Sequence, residues 1–202
     1  MTAFAAPDLL QGDHVRLEPL QPAHADGLRA ALAGDALSRC WYTSVPTAAG
    51  VDDYIAEATA GRQAGRALPF AVRGPGGDVV GCTRFYDLDP AVPRASIGHT
   101  WYAPAAQRTA VNTETKLLLL ALAFETWRCL AVAFETSWFN RRSREAIARL
   151  GARQDGVLRN HRRHADGSPR DTVVFSIVDG EWPAVKRNLV ERLRTPSGGE
   201  AG

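Results

Sequence analysis

The stretch W-Y-A-P-A-A-Q-R-T-A-V-N-T-E-T-K-L-L-L-L, Trp101–Leu120, decides how this chain is read. Ala95–Tyr102 has the pattern of a strand, Pro104 ends it, and a polar loop covers Ala105–Asn112. The apolar spacing that follows predicts a helix over Thr113–Thr126. The first N–H groups of a helix lack internal partners and sit at the positive end of its macrodipole. A strand-loop-helix junction of this kind therefore accepts a phosphate without needing a lysine. Asn112 or Thr113 supplies the N-cap, and Glu114 suits the first turn. The small side chains of Thr109 and Ala110 let a ligand approach the backbone. Every helix has such an end and most bind nothing, so the junction alone marks a place rather than a function.

Upstream, residues 1–12 read as a loose start and His14–Pro19 as a first strand. Pro22–Ala33 and Val51–Ala64 carry helical patterns, separated by the irregular, aromatic segment Gly34–Gly50. Leu68–Val72 and Val79–Tyr86 form a hairpin about Gly74–Gly77, and Asp87–Pro93 is a loop. Downstream, Leu130–Thr136 is a buried strand and Asn140–Leu150 a helix closed by Gly151. Val157–His164 and Thr172–Val178 flank an Asp166-Gly167 turn, and Glu181–Leu193 is an amphipathic helix. The predicted class is α+β: a mixed, mostly antiparallel sheet flanked by helices, in one domain over 13–194 with a flexible tail at 195–202.

A chain of 202 residues with 45% hydrophobic and 23% charged residues suits one soluble domain. A net charge of +2 is too mild for the clustered basic surface of a nucleic-acid binder, so none is expected as partner. Cys40, Cys82 and Cys129 are odd in number and widely spaced, which argues for reduced thiols rather than disulfides or zinc. The five histidines make no metal-ligand pattern, and no metal is expected. No n-region leads an apolar run at the start, and Leu117–Phe124 is far short of the roughly 20 residues of a membrane span. The expectation is a cytoplasmic protein without a membrane partner.

Around Gln107 the chain resembles the GNAT N-acetyltransferases, whose acetyl-CoA motif is R/Q-x-x-G-x-G/A. Gln107 matches the first position, while Ala110 and Asn112 stand where small glycine-type residues are usual. The run Q-R-T-A-V-N-T-E before K-L-L-L-L is similar to the Rim-type branch, which acetylates ribosomal-protein N-termini. Trp41–Pro46, Leu68–Val72, Thr83–Asp87, Phe139–Arg144, Arg149–Ala152, Asp155–Arg159, Arg170–Ile177 and Glu181–Val185 carry the likeness from about Leu17 to Leu193. The resemblance implies a GNAT fold and acetyl-CoA as co-substrate. It implies that the backbone of Gln107, Arg108, Thr109, Ala110, Val111, Asn112 and Thr113 cradles the pyrophosphate. It implies too that the strand before this loop splays from its neighbour and that the backbone of His99–Tyr102, including Trp101 and Tyr102, pairs with the pantetheine arm. Asn140 and Ser143 match an N-x-x-S motif facing that arm, although Asn140 is equally a plain N-cap. A homodimer fits the family.

Acetyl transfer needs a neutral amine, a polarised thioester carbonyl and a proton for the thiolate. The tyrosine that many relatives carry after N-x-x-S is absent from N-R-R-S-R-E-A-I-A-R-L, and Ser96 stands where a glutamate base is common. His99, three residues on, is the candidate base, with an ordinary pKa suited to neutral pH. Regular alternation would put Ser96 and His99 on opposite faces unless a bulge intervenes. Trp41, Tyr42 and Arg84 are candidate acceptor contacts, Arg84 for a carboxylate or a peptide carbonyl. The acceptor amine stays open between protein N-termini and small molecules. A CoA-binding regulatory module without catalysis is the alternative that the missing tyrosine and glutamate suggest.

Overall fold

The structure, a computed structural model, describes residues 4–34 and 39–194. The described residues form strands β1 (Leu10–Gln11), β2 (Arg16–Pro19), β3 (Ala67–Arg73), β4 (Val79–Asp89), β5 (Arg94–Tyr102), β6 (Ala131–Ser137), β7 (Arg153–Arg163) and β8 (Pro169–Val178). These make one sheet in the order β1-β2-β3-β4-β5-β6-β8-β7. The β5–β6 pair is parallel and every other neighbouring pair antiparallel. The helices are α1 (Ala25–Ala31), α2 (Val51–Gln63), α3 (Ala110–Ala121), α4 (Arg141–Ala148) and α5 (Trp182–Arg194). The expected mixed, mostly antiparallel sheet is present.

Side chains alternate between the two sheet faces, and each face is apolar where helices cover it. On one face Leu17, Phe70, Phe85, Ile97, Phe134 and Ile177 pack with Leu119 and Leu120 of α3 and Leu189 of α5. On the other, Ala71, Cys82 and Trp101 pack against Leu28 of α1 and Val51, Ile55 and Ala58 of α2. That second layer reaches only the β3–β5 half of the sheet. The same face of β6 and β8 carries Glu135 and Arg170 in place of a helix-covered core.

Four expectations move. Leu10–Gln11 is a strand paired with Arg16 and Leu17, and Phe4 packs on Trp127 with ring centroids 5.0 Å apart, so residues 4–12 are built into the fold. The predicted loop Asp87–Pro93 shrinks, because the hairpin continues to an Asp89↔Arg94 pair. Helix α3 opens at Ala110, not near Thr113. The cap is Thr109, whose Oγ1 accepts from the Val111 N–H at 3.3 Å and donates to the Ala106 carbonyl at 2.7 Å. Asn112 and Thr113 therefore lie inside the first turn. A π-helical turn, Leu122–Thr126, continues α3 where an α-helix was expected to run on. The predicted tail at 195–202 lies outside the described residues.

Glu114 is not a simple first-turn charge. It is buried, and its carboxylate accepts from the backbone N–H groups of Asp13, His14 and Val15 at 3.0, 2.6 and 2.8 Å. A Cβ on Gly12 would collide with it, so only glycine lets the β1–β2 turn close over the carboxylate. Removing the acceptor strands three amides. Glu114→Ala is expected to lower unfolding free energy by about 2–4 kcal/mol in urea titrations; a loss below about 0.5 kcal/mol would contradict this account.

Candidate functional site

Strand β5 runs beside β6 only through Arg94↔Ala131, Ala95↔Val132 and Ser96↔Ala133, then leaves it. Beyond Ser96 the edge of β5 facing β6 has no ladder partner, and a wedge opens between the two strands. On the β4 side the register steps from Arg84↔Gly98 to Cys82↔Trp101, so β5 carries one extra residue. That residue sits at a bulge marked by His99, with φ +49°. The insertion shifts the alternation: Ile97 and Tyr102 face the α3 side, whereas Trp101 faces α1 and α2.

The bulge gathers the two sequence-picked catalytic candidates on one face. Tyr86 lies opposite Ser96 in the ladder, and its ring meets the His99 ring edge-on at 5.6 Å. Gly98 makes room for this, since a Cβ there would stand 2.7 Å from Tyr86 Cε1. The Tyr54 hydroxyl of α2 reaches the His99 carbonyl at 3.5 Å. Burial first, then the charges of Arg84, Arg162 and Arg170, push the His99 pKa down to about 4. The imidazole is neutral at pH 7, and the ordinary pKa expected for it does not hold. Glu135, on the same face, accepts from Arg162 Nη2 at 3.0 Å. Arg84, 5% exposed, lies over the Tyr54 ring at 5.1 Å.

On the opposite face the bulge rests on Lys116 of α3. This buried lysine donates to Thr100 Oγ1 at 2.7 Å and stands 3.4 Å from Thr83 Oγ1, and the two hydroxyls are 2.8 Å apart. No carboxylate partners it among the described residues. Burial lowers its pKa to about 7.

The loop residues assemble at the open end of the wedge. Gln107 Nε2 donates to the Tyr102 carbonyl at 2.8 Å, and its Oε1 accepts from Arg142 Nη2. Loop and α4 are thereby tied together. Arg108, at φ +61°, and Thr109 are exposed; Gln107, Ala110, Asn112 and Thr113 are half-buried; Val111 is core. Asn140 caps α4 through Oδ1, which accepts from the Ser143 N–H at 3.0 Å. Trp101 and Tyr102 are buried side chains, so only their backbone remains for a ligand. Trp41 is 46% exposed, and its ring meets Tyr42 at 5.7 Å, Phe139 at 5.1 Å and His164 at 4.6 Å. The aromatic segment thus bridges the β6–α4 turn and the β7–β8 hairpin.

Sequence reasoning missed Tyr86, Tyr54, Lys116 and the pairing of Arg162 with Arg170 across the last hairpin. Tyr86 and Arg84 share a period-2 alignment that the sequence does display. The rest depend on contacts between distant segments. Among the described residues no helix is long and apolar enough to cross a membrane. No group of three or more His, Cys, Asp or Glu among them is placed to hold a metal ion.

Residues 14–153 match the acetyltransferase (GNAT) domain profile. A Bacillus subtilis (strain 168) protein, provisionally named ribosomal N-acetyltransferase YdaF, is 27% identical over 110 residues, which cover 54% of this chain and 59% of that relative. A GCN5-related N-acetyltransferase from Brucella melitensis superposes with a TM-score of 0.84 at 32% identity, covering 92% of this chain and 85% of the other. Mycobacterium smegmatis RimJ, solved with CoA-disulfide, has the same fold: TM-score 0.73, 21% identity, 88% of each chain.

Lys116 makes stability depend on pH. Its folded pKa lies below its unfolded value, so the unfolded chain binds the extra proton between about pH 7 and 10.5. Stability should therefore rise with pH across that window, by up to about 1.4 kcal/mol per unit. Lys116→Met should remove this slope and be the more stable protein near pH 7.5, because the Thr83–Thr100 pair stays satisfied. Urea titrations of both proteins at about pH 7.5 and 9.5 check it; equal slopes would contradict the burial account.

Proposed function

The chain belongs to the GNAT acetyltransferase family, and from that premise we propose that it moves the acetyl group of acetyl-CoA to a primary amine by direct attack. The observation that carries this reading is the wedge between β5 and β6, which opens beside the exposed N-terminus of α3. The donor set fits a CoA thioester. Small or exposed residues, Thr109 and Ala110, stand at the helix start, and Arg108, Arg141 and Arg142 are exposed cations around it. The backbone of Gln107–Thr113 would hold the pyrophosphate, and the free edge of β5 from His99 to Tyr102 would hold the pantetheine arm. Asn140 and Ser143 would border that arm from α4. Bound there, acetyl-CoA supplies the acyl group and a thiolate leaving group.

A backbone N–H on the free edge of β5 polarises the thioester carbonyl. The arginine-rich face of the wedge disfavours an ammonium ion and selects the amine in its neutral form. Neutral His99 then accepts the proton that the nitrogen sheds as it bonds to carbon, and the imidazolium so formed, acidic with a pKa near 4, passes that proton to the departing thiolate. Ser96, on the same face, is the candidate relay for it. Trp41 and Tyr42 wall the acceptor, which is either a protein N-terminus, as the likeness to the Rim-type branch suggests, or a small amine.

Two measurements test this. CoA at about 100 times its Kd should stabilise the protein by about 2.7 kcal/mol. Ala110→Pro should weaken CoA binding about tenfold or more, with the fold unchanged: proline is tolerated at the first helical position but deletes one amide donor. Unaltered affinity would remove the helix terminus from the site. In a thiol-release assay, kcat/KM should rise with pH along the acceptor's own ammonium titration. His99→Ala should lower kcat by about 10²-fold. CoA binding with no thiol release on any amine would favour the regulatory-module reading.

A further inference from the structure

The sheet face beside the bulge holds more positive charge than it can pair. Arg84 is nearly fully buried, yet its Nε and Nη2 have no hydrogen-bond partner. Its Nη1 comes only to 3.9 Å of Glu57 Oε1, and that carboxylate is solvated, with a side chain 76% exposed. The Arg170 Nε is likewise buried and unpartnered, and Arg170 has no ion pair among the described residues. Glu135 is already engaged by Arg162 at 3.0 Å. Tyr86, Cys82, Tyr54 and neutral His99 also face this space from β4, α2 and β5 without a negative charge, and Asp87, beside Tyr86, makes no ion pair with Arg84 or Arg170 among the described residues.

Buried guanidinium donors without acceptors are costly, and the cost disappears when a ligand brings the acceptor. The Nε–Nη2 edge is the side-on fork whose two parallel N–H groups match the two oxygens of a carboxylate. Arg84 stands on β4, next to β5, and Arg170 on β8, next to β6, and the charges of both act on His99 at the bulge between them. An anion held between them would lie over the bulge. Resting on the acetyltransferase reading, we propose that the acceptor amine carries a carboxylate a few bonds away, gripped by Arg84 and Arg170. The carboxylate comes either from a free amino acid or from an acidic side chain next to a peptide N-terminus.

Thiol release from acetyl-CoA is measured in two arms: the common L-amino acids against their carboxamides, and amide-capped tripeptides Ala-Glu-Gly against Ala-Gln-Gly. The carboxylate member of one arm should have a kcat/KM about 10²-fold higher, and the arm that responds identifies the source. Arg84→Gln should shrink that ratio at least tenfold. Arg170→Gln, at a half-buried position less critical for folding, should shrink it in the same direction. Amides and glutamine peptides that react as well as their acidic partners would overturn the inference while leaving the acetyltransferase reading intact. Where no amine reacts, the CoA-loaded protein is titrated calorimetrically with the same amino acids; no heat from any carboxylate overturns it too. Failure of CoA itself to bind would instead bring down the acetyltransferase reading, and the inference with it.

Discussion

One extra residue in β5 governs the rest of this structure. A regular β5 would keep pairing with β6, close the sheet, and send alternate side chains to fixed faces. The bulge at His99 ends that regularity just after the last parallel pair, Ser96↔Ala133. Three consequences follow from one insertion. The two strands part, so a peptide edge is left open within an otherwise continuous sheet, where an unpaired edge is a liability until something covers it. Trp101 and Tyr102 exchange faces and are both buried, one in each core layer. His99 comes to the face of Ser96 and Tyr86 rather than the opposite one. The strained backbone is supported from both sides, by the Tyr54 hydroxyl above and the Thr83–Thr100–Lys116 group below.

The electrostatics of the two sides of the bulge are set by what the helices leave uncovered. On the α3 side the buried cation Lys116 is held by two hydroxyls in an environment that favours its neutral form. On the other side α1 and α2 cover the sheet only as far as β5, and the remaining face of β6 and β8 carries Glu135 and Arg170. Arg84, Arg162 and Arg170 converge on His99 there, with Glu135 the carboxylate in contact. A base so placed is neutral but weak.

Much of this was legible in the chain. The hairpin Val79 onward, the β5 strand and its stop at Pro104, the helix that follows, and the short helix closed by Gly151 all lie within a few residues of their predicted places. Local periodicity and turn residues carry that information. Boundaries shifted where a local competitor acted: Thr109 captured the cap from Asn112 and Thr113 because its hydroxyl serves both the Val111 amide and the Ala106 carbonyl. Leu10–Gln11 has no periodicity to betray a strand, and becomes one only because β2 offers it an edge. Glu114 reads as a first-turn charge until the chain 100 residues upstream folds onto it.

By itself, then, the sequence determined the order and type of most elements, the face of each that must be apolar, and the junction at Gln107–Thr113. These follow from propensities and spacings within a dozen residues. Only the tertiary structure decided that Ser96 and His99 share a face, that His99 is neutral, that Lys116 is buried with no carboxylate beside it among the described residues, and that the Nε atoms of Arg84 and Arg170 lack acceptors. Each of these depends on which distant groups surround a side chain and exclude water from it. Burial and charge act through space, and a linear pattern records only what lies next along the chain.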